Sequence, residues 1–529
     1  MKNLLFLFSI CLLLISCEEK IPATPKDLAK EFLIPKPDSL LATGSSFRLT
    51  NETQIIIESK NEKLEKVGQF LVDKLKTPTG FNFPINFSDK TNTPNAIHFF
   101  ISKNKKQLGE EGYKLTIKED FIQLEGNSAA GVFRGVQTLL QLLPASIEKG
   151  ELQTESWEIA SGTIYDSPTY EYRGAMIDVS RHFFDVEKVK EYIDHLARYK
   201  MNYLHIHLSD DQGWRIEIKK WPNLTKHGGS TQVGGGKGGF YTQEDYKEIV
   251  KYAADRFITI VPEIDLPGHT NAALAAYGEL NCDGKARDLY TGMEVGFSTL
   301  CTRNEKTYEF VDDVIKELVA MTPGPYIHIG GDESHSTKKE DYIYFVDRVQ
   351  DIVAKHGKMM MGWDEVTEID LKSNSIAQYW AEKENAQAAV RQNVKVLMSP
   401  ASKAYLDMKY DSTTTLGLNW AGYIEVDSGY IWNPATLVKG VSKENILGVE
   451  CPLWTETVTN MDELEYLVFP RLLGYAEIGW TKQEDRNWED YKTRLGNHQA
   501  RLEALGINYY PSKLVPWTKP MKEEVQLEN

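Results

Sequence analysis

Short apolar runs alternate with amphipathic helical segments along this chain from about residue 172 onward. Continuous apolar runs of strand length are typical of strands that are buried on both faces of a sheet. Such runs occur at residues 175–179, 203–208, 258–264, 326–329, 359–363, 376–380, 394–398 and 446–453. Helical periodicity occurs between them, at residues 186–200, 243–256, 306–321 and 342–356. The pattern favours a (β/α)8 TIM barrel over residues 166–516, although an open doubly wound sheet shows the same kind of alternation.

The stretch before the barrel predicts a small α+β domain over residues 45–165. Its strands and helices are expected at residues 53–58, 63–75, 96–102, 113–125 and 126–143. Residues 18–44 are polar and contain several prolines, which indicates a tether or linker. Residues 517–529 form a charged tail that we expect to fray.

Residues 1–17 have the features of an export signal. Lys2 precedes an apolar run of about a dozen residues, which is too short to span a bilayer and has the length of a signal-peptide core. The sequence Leu14-Ile15-Ser16-Cys17 resembles a bacterial lipobox, and the resemblance implies cleavage before Cys17 and lipidation of its thiol. A plain secretory signal with an incidental cysteine is the alternative. We expect an exported protein, lipid-anchored to the bacterial outer membrane on its periplasmic or its outer side.

The length, net charge and aromatic content of the chain limit the kinds of molecule that it is expected to bind. The length of 529 residues exceeds what one hydrophobic core usually supports, which favours two domains. The formal net charge of -16 argues against nucleic acid and against anionic membrane surfaces, because both would repel the protein. Contact with a membrane is therefore expected only through the N-terminal lipid. The 11 Trp and 26 Tyr supply flat rings that suit sugar faces as well as protein cores.

The cysteines agree with export. Cys282 and Cys301 flank a loop-like stretch rich in Gly, Asp and Thr, and we expect a disulfide between them in an oxidising compartment. Cys451 lies in an apolar run and is expected to be a buried thiol. The cysteine spacing does not suggest a zinc site, and no metal or cofactor is expected.

In a barrel of this type, functional side chains lie just beyond the carboxyl ends of the strands. Acids, aromatic residues and cations follow every predicted strand. In chain order they are Arg181 and His182; Asp210, Asp211 and Trp214; Glu263, Asp265 and His269; Asp332 and Glu333; Trp363, Asp364 and Glu365; Trp380; Tyr405 and Asp407; and Trp454 and Glu456. Indole rings stack on the C–H faces of sugars, and carboxylates and arginine bind vicinal hydroxyls. The set predicts a pocket for a small neutral ligand with many hydroxyls.

The stretch from Tyr326 to His335 is the most informative of these strand ends. A short strand meets Gly330 and Gly331 and then presents the adjacent carboxylates Asp332 and Glu333. Two glycines allow the backbone to bend or to approach another group closely, so the two acids need not diverge as strand neighbours do. Paired carboxylates perform general acid and base chemistry on acetals.

These motifs resemble those of the β-N-acetylhexosaminidases of glycoside hydrolase family 20. The matching segments are Ser180-Arg181-His182-Phe183-Phe184, His205-Ile206-His207-Leu208-Ser209-Asp210-Asp211-Gln212-Gly213-Trp214, Pro262-Glu263-Ile264-Asp265-Leu266-Pro267-Gly268-His269, His328-Ile329-Gly330-Gly331-Asp332-Glu333 and Leu453-Trp454-Thr455-Glu456. The resemblance implies an exo-acting, retaining hydrolase of terminal N-acetylglucosamine or N-acetylgalactosamine. In this family the substrate's own 2-acetamido oxygen attacks the anomeric carbon and forms an oxazolinium intermediate.

The resemblance also implies a role for each site residue. Glu333 would be the general acid and later the base, Asp332 would orient the acetamido group, and Tyr405 would donate to the acetamido oxygen. Asp210 and His269 would form a pair that supports Glu333. The remaining residues expected to contact the sugar are Arg181, Trp363, Trp380, Asp407, Trp420, Trp454 and Glu456.

Two other functions are compatible with parts of the pattern. His205 and His207, with His269, His328 and Asp332, could supply the ligands of a metal-dependent hydrolase on the same barrel. However, the first two lie inside a predicted strand, where core histidines with satisfied hydrogen bonds explain them better. A non-catalytic glycan-binding lipoprotein is the other alternative, and the intact Asp332-Glu333 pair disfavours it.

Overall fold

The computed structural model describes residues 23–58, 61–102 and 108–519. The predicted export signal and Cys17 lie outside the described residues. Within those ranges, no helix is both long enough and apolar enough to cross a membrane.

The N-terminal part of the described chain is a mixed sheet covered by two helices. Its elements are β1 (Ser39–Arg48), β2 (Gln54–Ile57), α1 (Glu62–Thr79), β3 (Ile85–Phe87), β4 (Ala96–Ile101), β5 (Tyr113–Ile117), β6 (Phe121–Gly126), α2 (Ala129–Gln141) and β7 (Glu158–Asp166). The strand order is β1-β7-β5-β6-β4-β2-β3. Helix α1 begins where the Asn61 side chain accepts from the backbone N–H groups of Lys63 and Leu64, and ends at Gly80 with φ +69°.

The prediction of a tether over residues 18–44 is wrong for its described part. Strand β1 begins at Ser39 and pairs antiparallel with β7, as the sheet's edge strand. Before it, Ile34 is fully buried, and its backbone exchanges hydrogen bonds of 3.0 and 2.7 Å with the Gln141 side chain. The prolines that suggested a linker therefore belong to an ordered segment that packs on α2. At the other end, Lys519 N donates to Gln499 Oε1 at 2.8 Å, so residues 517–519 also pack on the fold.

The second part is a closed barrel of parallel strands, as predicted. The strands of this part are β8 (Tyr172–Asp178), β9 (Tyr203–His207), β10 (Ser209–Asp210), β11 (Gly213–Trp214), β12 (Thr259–Glu263), β13 (Tyr326–His328), β14 (Met359–Trp363), β15 (Ile376–Tyr379), β16 (Lys395–Met398) and β17 (Ile446–Leu453). The barrel order is β12-β13-β14-β15-β16-β17-β8-β9, while β10 and β11 form a separate ribbon. The closure of β17 onto β8 brings the first and last strand ends together.

Helices surround the barrel, most of them between its strands and the last three after β17. They are α3 (Val186–Arg198), α4 (Asn223–Lys226), α5 (Gln243–Ala254), α6 (Asn271–Ala276), α7 (Glu305–Met321), α8 (Lys339–Lys355), α9 (Lys383–Arg391), α10 (Ala401–Ala404), α11 (Val426–Tyr430), α12 (Pro434–Leu437), α13 (Met461–Val468), α14 (Arg471–Trp480) and α15 (Trp488–Leu505). The four helices predicted from periodicity correspond to α3, α5, α7 and α8.

A buried polar cluster joins the two parts. Asp166, the last residue of β7, accepts from Trp480 Nε1 at 2.7 Å and from Tyr113 OH at 2.6 Å, and its carboxylate lies 2.8 Å from Lys200 Nζ. These partners come from α14, β5 and the turn after α3. The sheet and the barrel are therefore connected by directional bonds as well as by apolar packing.

Candidate active site

The turn after β13 places two carboxylates in the mouth of the barrel. Gly330 and Gly331 have φ values of +66° and +102°. A Cβ atom on Gly330 would lie 1.8 Å from Asp265 Oδ1, so only glycine fits there. Gly331 N–H donates to the same oxygen at 3.1 Å. The chain therefore bends around Asp265, and Glu333 itself has a left-handed φ of +46°.

The two acids face one imidazole ring. His269 Nε2 lies 3.4 Å from Glu333 Oε2 and 3.8 Å from Asp332 Oδ2. Asp332 is buried, whereas the Glu333 side chain is 28% exposed, so a leaving group can reach it. Burial raises the pKa of Asp332 to about 6, with the charge of His269 opposing the rise and that of Glu333 adding to it.

His269 is held by Asp210, the residue predicted to be its partner. His269 Nδ1 lies 3.1 Å from Asp210 Oδ1, and Arg181 Nη2 lies 2.8 Å from Asp210 Oδ2. Burial opposes ionisation of Asp210, but Arg181 and then His269 hold its pKa well below the usual range. Burial lowers the pKa of His269, but Asp210 and Asp265 raise it well above the usual value. A positive imidazolium therefore sits beside Glu333.

Aromatic rings form a continuous wall beside the acids. Trp363 and Trp454 are buried, with ring centroids 5.7 Å apart, and Trp454 lies 6.3 Å from Tyr405. Tyr405 stacks on Trp380 at 6.5 Å and 15°. Trp420 makes edge contacts with Trp380 and Tyr405, at 6.1 and 5.8 Å, and is 57% exposed. Three of the rings thus form the inside of a pocket, with Trp380 half-buried and Trp420 at its rim.

Deep polar atoms point to a ligand with hydroxyl groups. The Asp407 carboxylate is buried, and no side chain in the described part of the protein donates to either of its oxygens. Glu456 Oε2 and Arg181 Nε are likewise buried without a hydrogen-bond partner among the described residues. Burial, and next the charge of Glu456, raise the pKa of Asp407 well above the usual value. Buried polar atoms are normally satisfied, so such a cluster indicates a site for ligand hydroxyls.

The rim beside His269 is fixed by a disulfide between Cys282 and Cys301, with an S–S distance of 2.09 Å. Within the loop that it closes, Ser298 donates to Asp211 Oδ1 at 2.5 Å. Cys451, predicted to be a buried thiol, is buried and unpaired in this structure.

Two of the histidines that could serve a metal, His205 and His207, are paired with carboxylates. His207 Nδ1 lies 2.5 Å from Glu263 Oε2, and its Nε2 lies 2.9 Å from Asp210. His205 has Glu450 at 2.9 Å and Glu263 at 3.0 Å from its two nitrogens. Although burial opposes protonation, Glu450 and Glu263 raise the pKa of His205 to about 9. Both nitrogens of His205 and of His207 therefore lie within reach of carboxylates, as expected for histidines paired inside a barrel core.

Comparison with known proteins places this geometry in a family. Residues 170–483 match "Glycosyl hydrolase family 20, catalytic domain", and residues 30–167 match "Glycosyl hydrolase family 20, domain 2". The chain belongs to glycosyl hydrolase family 20. The resemblance drawn from the motifs is thereby confirmed, as is the class of enzyme, a glycoside hydrolase.

Relatives of this family 20 chain are similar over nearly its whole length. A β-N-acetylhexosaminidase of Cellulomonas fimi is 41% identical over 92% of this chain and 97% of its own. A β-hexosaminidase of Porphyromonas gingivalis is 36% identical over 96% of this chain and 69% of its own. The solved family 20 β-N-acetylhexosaminidase of Streptomyces coelicolor A3(2) is 48% identical, with a TM-score of 0.90 over 94% of this chain and 100% of that one.

The barrel brings the predicted catalytic and sugar-binding residues to one mouth, but the sequence did not predict Asp178 as a member of the site or assign a role to Glu263. Asp178, at the end of β8, accepts from the backbone of Thr455 at 3.1 Å and lies 3.4 Å from Arg181 Nη1. Glu263 lies below the pocket, where it contacts His207 and accepts from Trp363 Nε1. An acid inside an otherwise apolar strand is the sequence signal that could have identified Asp178.

Proposed function

We propose that this family 20 enzyme is an exo-acting β-N-acetylhexosaminidase that uses the substrate's acetamido group as its nucleophile. The observation that carries the proposal is that Tyr405 lies in the aromatic wall, close enough to Asp332 for the carboxylate to act electrostatically on its phenol. Burial, and next the Asp332 carboxylate, raise the pKa of Tyr405 well above its usual value, so the phenol keeps its proton. A phenol donor beside a carboxylate acceptor complements the C=O and N–H of one amide group.

The mechanism follows from this pairing. Glu333 protonates the glycosidic oxygen as the bond from that oxygen to the anomeric carbon breaks. The acetamido oxygen, oriented by Tyr405, forms a new bond to the anomeric carbon, and Asp332 stabilises the positive charge that develops on the acetamido nitrogen. Water then attacks the anomeric carbon, gives its proton to Glu333 and reopens the oxazolinium ring. Two displacements at one carbon retain the β configuration.

Exo action follows from the closed end of the pocket. Asp407, Glu456 and Arg181 present buried polar atoms where the hydroxyls of a terminal sugar would lie. A chain continuing through that end would meet buried carboxylates rather than solvent. A Streptomyces plicatus β-hexosaminidase mutant that is 48% identical to this chain, with a TM-score of 0.90 over 94% of it and 99% of its own length, was solved in complex with its product, GlcNAc. This supports N-acetylglucosamine as one of the sugars released here.

The product pattern tests this function directly. With N-acetylchitooligosaccharides labelled at the reducing end, we expect stepwise loss of single N-acetylglucosamine units, released as the β anomer in time-resolved NMR. The matched control is the same oligosaccharide without acetyl groups, which we expect to remain uncut because it lacks the acetamido oxygen. Release of disaccharides, initial release of the α anomer, or cleavage of the deacetylated chain would contradict the proposal.

We also propose that the protein is exported and held at the bacterial outer membrane by a lipid on Cys17. The disulfide between Cys282 and Cys301 supports an oxidising compartment. Growth with labelled palmitate should label the wild-type protein and leave a Cys17→Ala variant unlabelled and soluble in the periplasm or medium. Equal labelling of both, or none of the wild type, would contradict the anchor.

A further inference from the structure

Glu263 is a fully buried carboxylate at the end of β12, directly below the pocket. Its Oε2 lies 2.5 Å from His207 Nδ1 and 3.0 Å from His205 Nε2. Its Oε1 accepts from Trp363 Nε1 at 2.9 Å and lies 3.1 Å from His328 Nδ1. One carboxylate therefore contacts four side chains of the barrel interior.

Two of these contacts lead to different halves of the site. Through His207, Glu263 reaches Asp210, whose Oδ2 lies 2.9 Å from His207 Nε2. Asp210 in turn holds His269, the ring beside Glu333. Through Trp363, Glu263 reaches the floor of the acetamido pocket directly. Glu263 is thus connected both to His269, which supports the general acid Glu333, and to Trp363, which lines the pocket for the acetamido nucleophile.

The charges around Glu263 are arranged to keep it ionised. Burial opposes its ionisation, but His207, followed by His328 and His205, hold its pKa well below the usual range. The other titratable groups that face this cluster are Glu450 beyond His205, Asp210 beyond His207 and Asp265 on the same loop. The Trp363 indole therefore donates to a carboxylate whose ionised form the neighbouring histidines favour, and this bond orients its ring.

We infer that Glu263 is a positioning residue for the reaction, aligning Trp363 with the acetamido group and, through His207 and Asp210, aligning His269 with Glu333. This inference rests on the proposed function, which assigns Glu333 as the general acid and the acetamido group as the nucleophile. A buried ion pair by itself is weak support for a stabilising role, because well-packed apolar residues would serve the fold as well. The connection to both halves of the site is what a purely structural role leaves unexplained.

The test compares Glu263→Gln with Glu450→Gln. Both residues are buried carboxylates of the barrel interior that contact His205, but Glu450 bonds to Tyr172 and Gln378 rather than to Trp363 or His207. We expect Glu263→Gln to lower kcat on a poor leaving group by about ten- to a hundredfold, the scale of a small misplacement. The loss should be smaller on a dinitrophenyl glycoside, which needs little acid assistance. Glu450→Gln should keep the wild-type ratio between the two substrates.

The thermal unfolding temperature of both variants shows whether a loss of activity comes from a less stable fold or from misplaced catalytic groups. Equal losses on the two substrates together with wild-type affinity for a thiazoline analogue of the intermediate, or the same leaving-group sensitivity in both variants, would overturn the inference. If Glu263→Gln does not fold, His207→Gln replaces it, because it removes the branch to Asp210 and leaves the Trp363 bond in place. His207→Gln should show the same leaving-group sensitivity with wild-type affinity for a thiazoline analogue of the intermediate, and a wild-type ratio would again overturn the inference. Failure of the wild-type enzyme to cut any N-acetylhexosaminide would instead contradict the proposed function.

Discussion

Glu333→Gln is expected to lower kcat on glycan substrates by about 10²- to 10⁴-fold, the usual contribution of a general acid. Glutamine keeps the size of the side chain but has no proton to give to the leaving oxygen. The rate of the first step should therefore fall least on a dinitrophenyl glycoside, because its leaving group departs without protonation. The second step also loses its base, so added azide, a nucleophile that needs none, should restore turnover of that substrate.

The matched control for this variant is Glu294→Gln, the same change at an exposed carboxylate on the disulfide-closed rim loop. It should behave as wild type on every substrate. Steady-state kinetics on the glycan and on the dinitrophenyl glycoside, with and without azide, measures all of these effects. Near-normal hydrolysis of the glycan by Glu333→Gln would remove Glu333 from its assigned role.

Asp332→Asn is expected to lower kcat and to raise stability at the same time. Loss of the charge that stabilises the oxazolinium should cost about 10²- to 10³-fold in kcat, by analogy with the removal of one oxyanion-hole donor. In the wild type, kcat/KM should fall below about pH 6 as Asp332 gains its proton, because its pKa is raised to about 6. The variant should lack this limb of the pH profile.

The stability gain follows from the same pKa. A carboxyl whose pKa is raised on folding contributes fully to stability below its unfolded pKa of 3.8, and this contribution is lost as the pH rises through about 6. The wild type should thus be less stable than Asp332→Asn above pH 6, by on the order of 3 kcal/mol in the free energy of unfolding, and the difference should vanish near pH 3. Urea unfolding at pH 3, 5 and 8 measures it.

The control for stability is Asp120→Asn, in the exposed turn between β5 and β6. Its difference from wild type should not change with pH. If Asp332→Asn is less stable than wild type at pH 8, or if its difference from wild type is the same at pH 3 and pH 8, the buried Asp332 charge is not the cost to folding that its surroundings indicate.

The barrel could be predicted because its strands are buried on both faces and read as continuous apolar runs. Strand β1 was missed for the opposite reason. It is an edge strand, and residues such as Ser39, Thr43 and Gly44 leave no strict alternation to detect. Its place depends on its partner β7, far along the chain, and local sequence does not carry that information.

In the site, too, local sequence predicted some features, while others depend on residues far apart in the chain. Residues just beyond strand ends could be assigned to one mouth, because parallel strands of a barrel bring these ends together. The role of Glu263 could not be assigned, because it depends on register. Glu263 pairs with His207 on one side and with His328 on the other, and a shift of one residue would turn its side chain out of the barrel.

The left-handed backbone at Glu333 has a consequence for the stability of this protein. That conformation costs an L-residue with a Cβ of the order of 1 kcal/mol, and glycine adopts it freely. The neighbouring Asp332 is a buried charge that raises the cost of folding at neutral pH. Replacing Glu333 with glycine, or Asp332 with a neutral residue of the same size, would therefore stabilise the fold. The pair is therefore held at a cost in stability, which is the trade-off between activity and stability that catalytic sites commonly show.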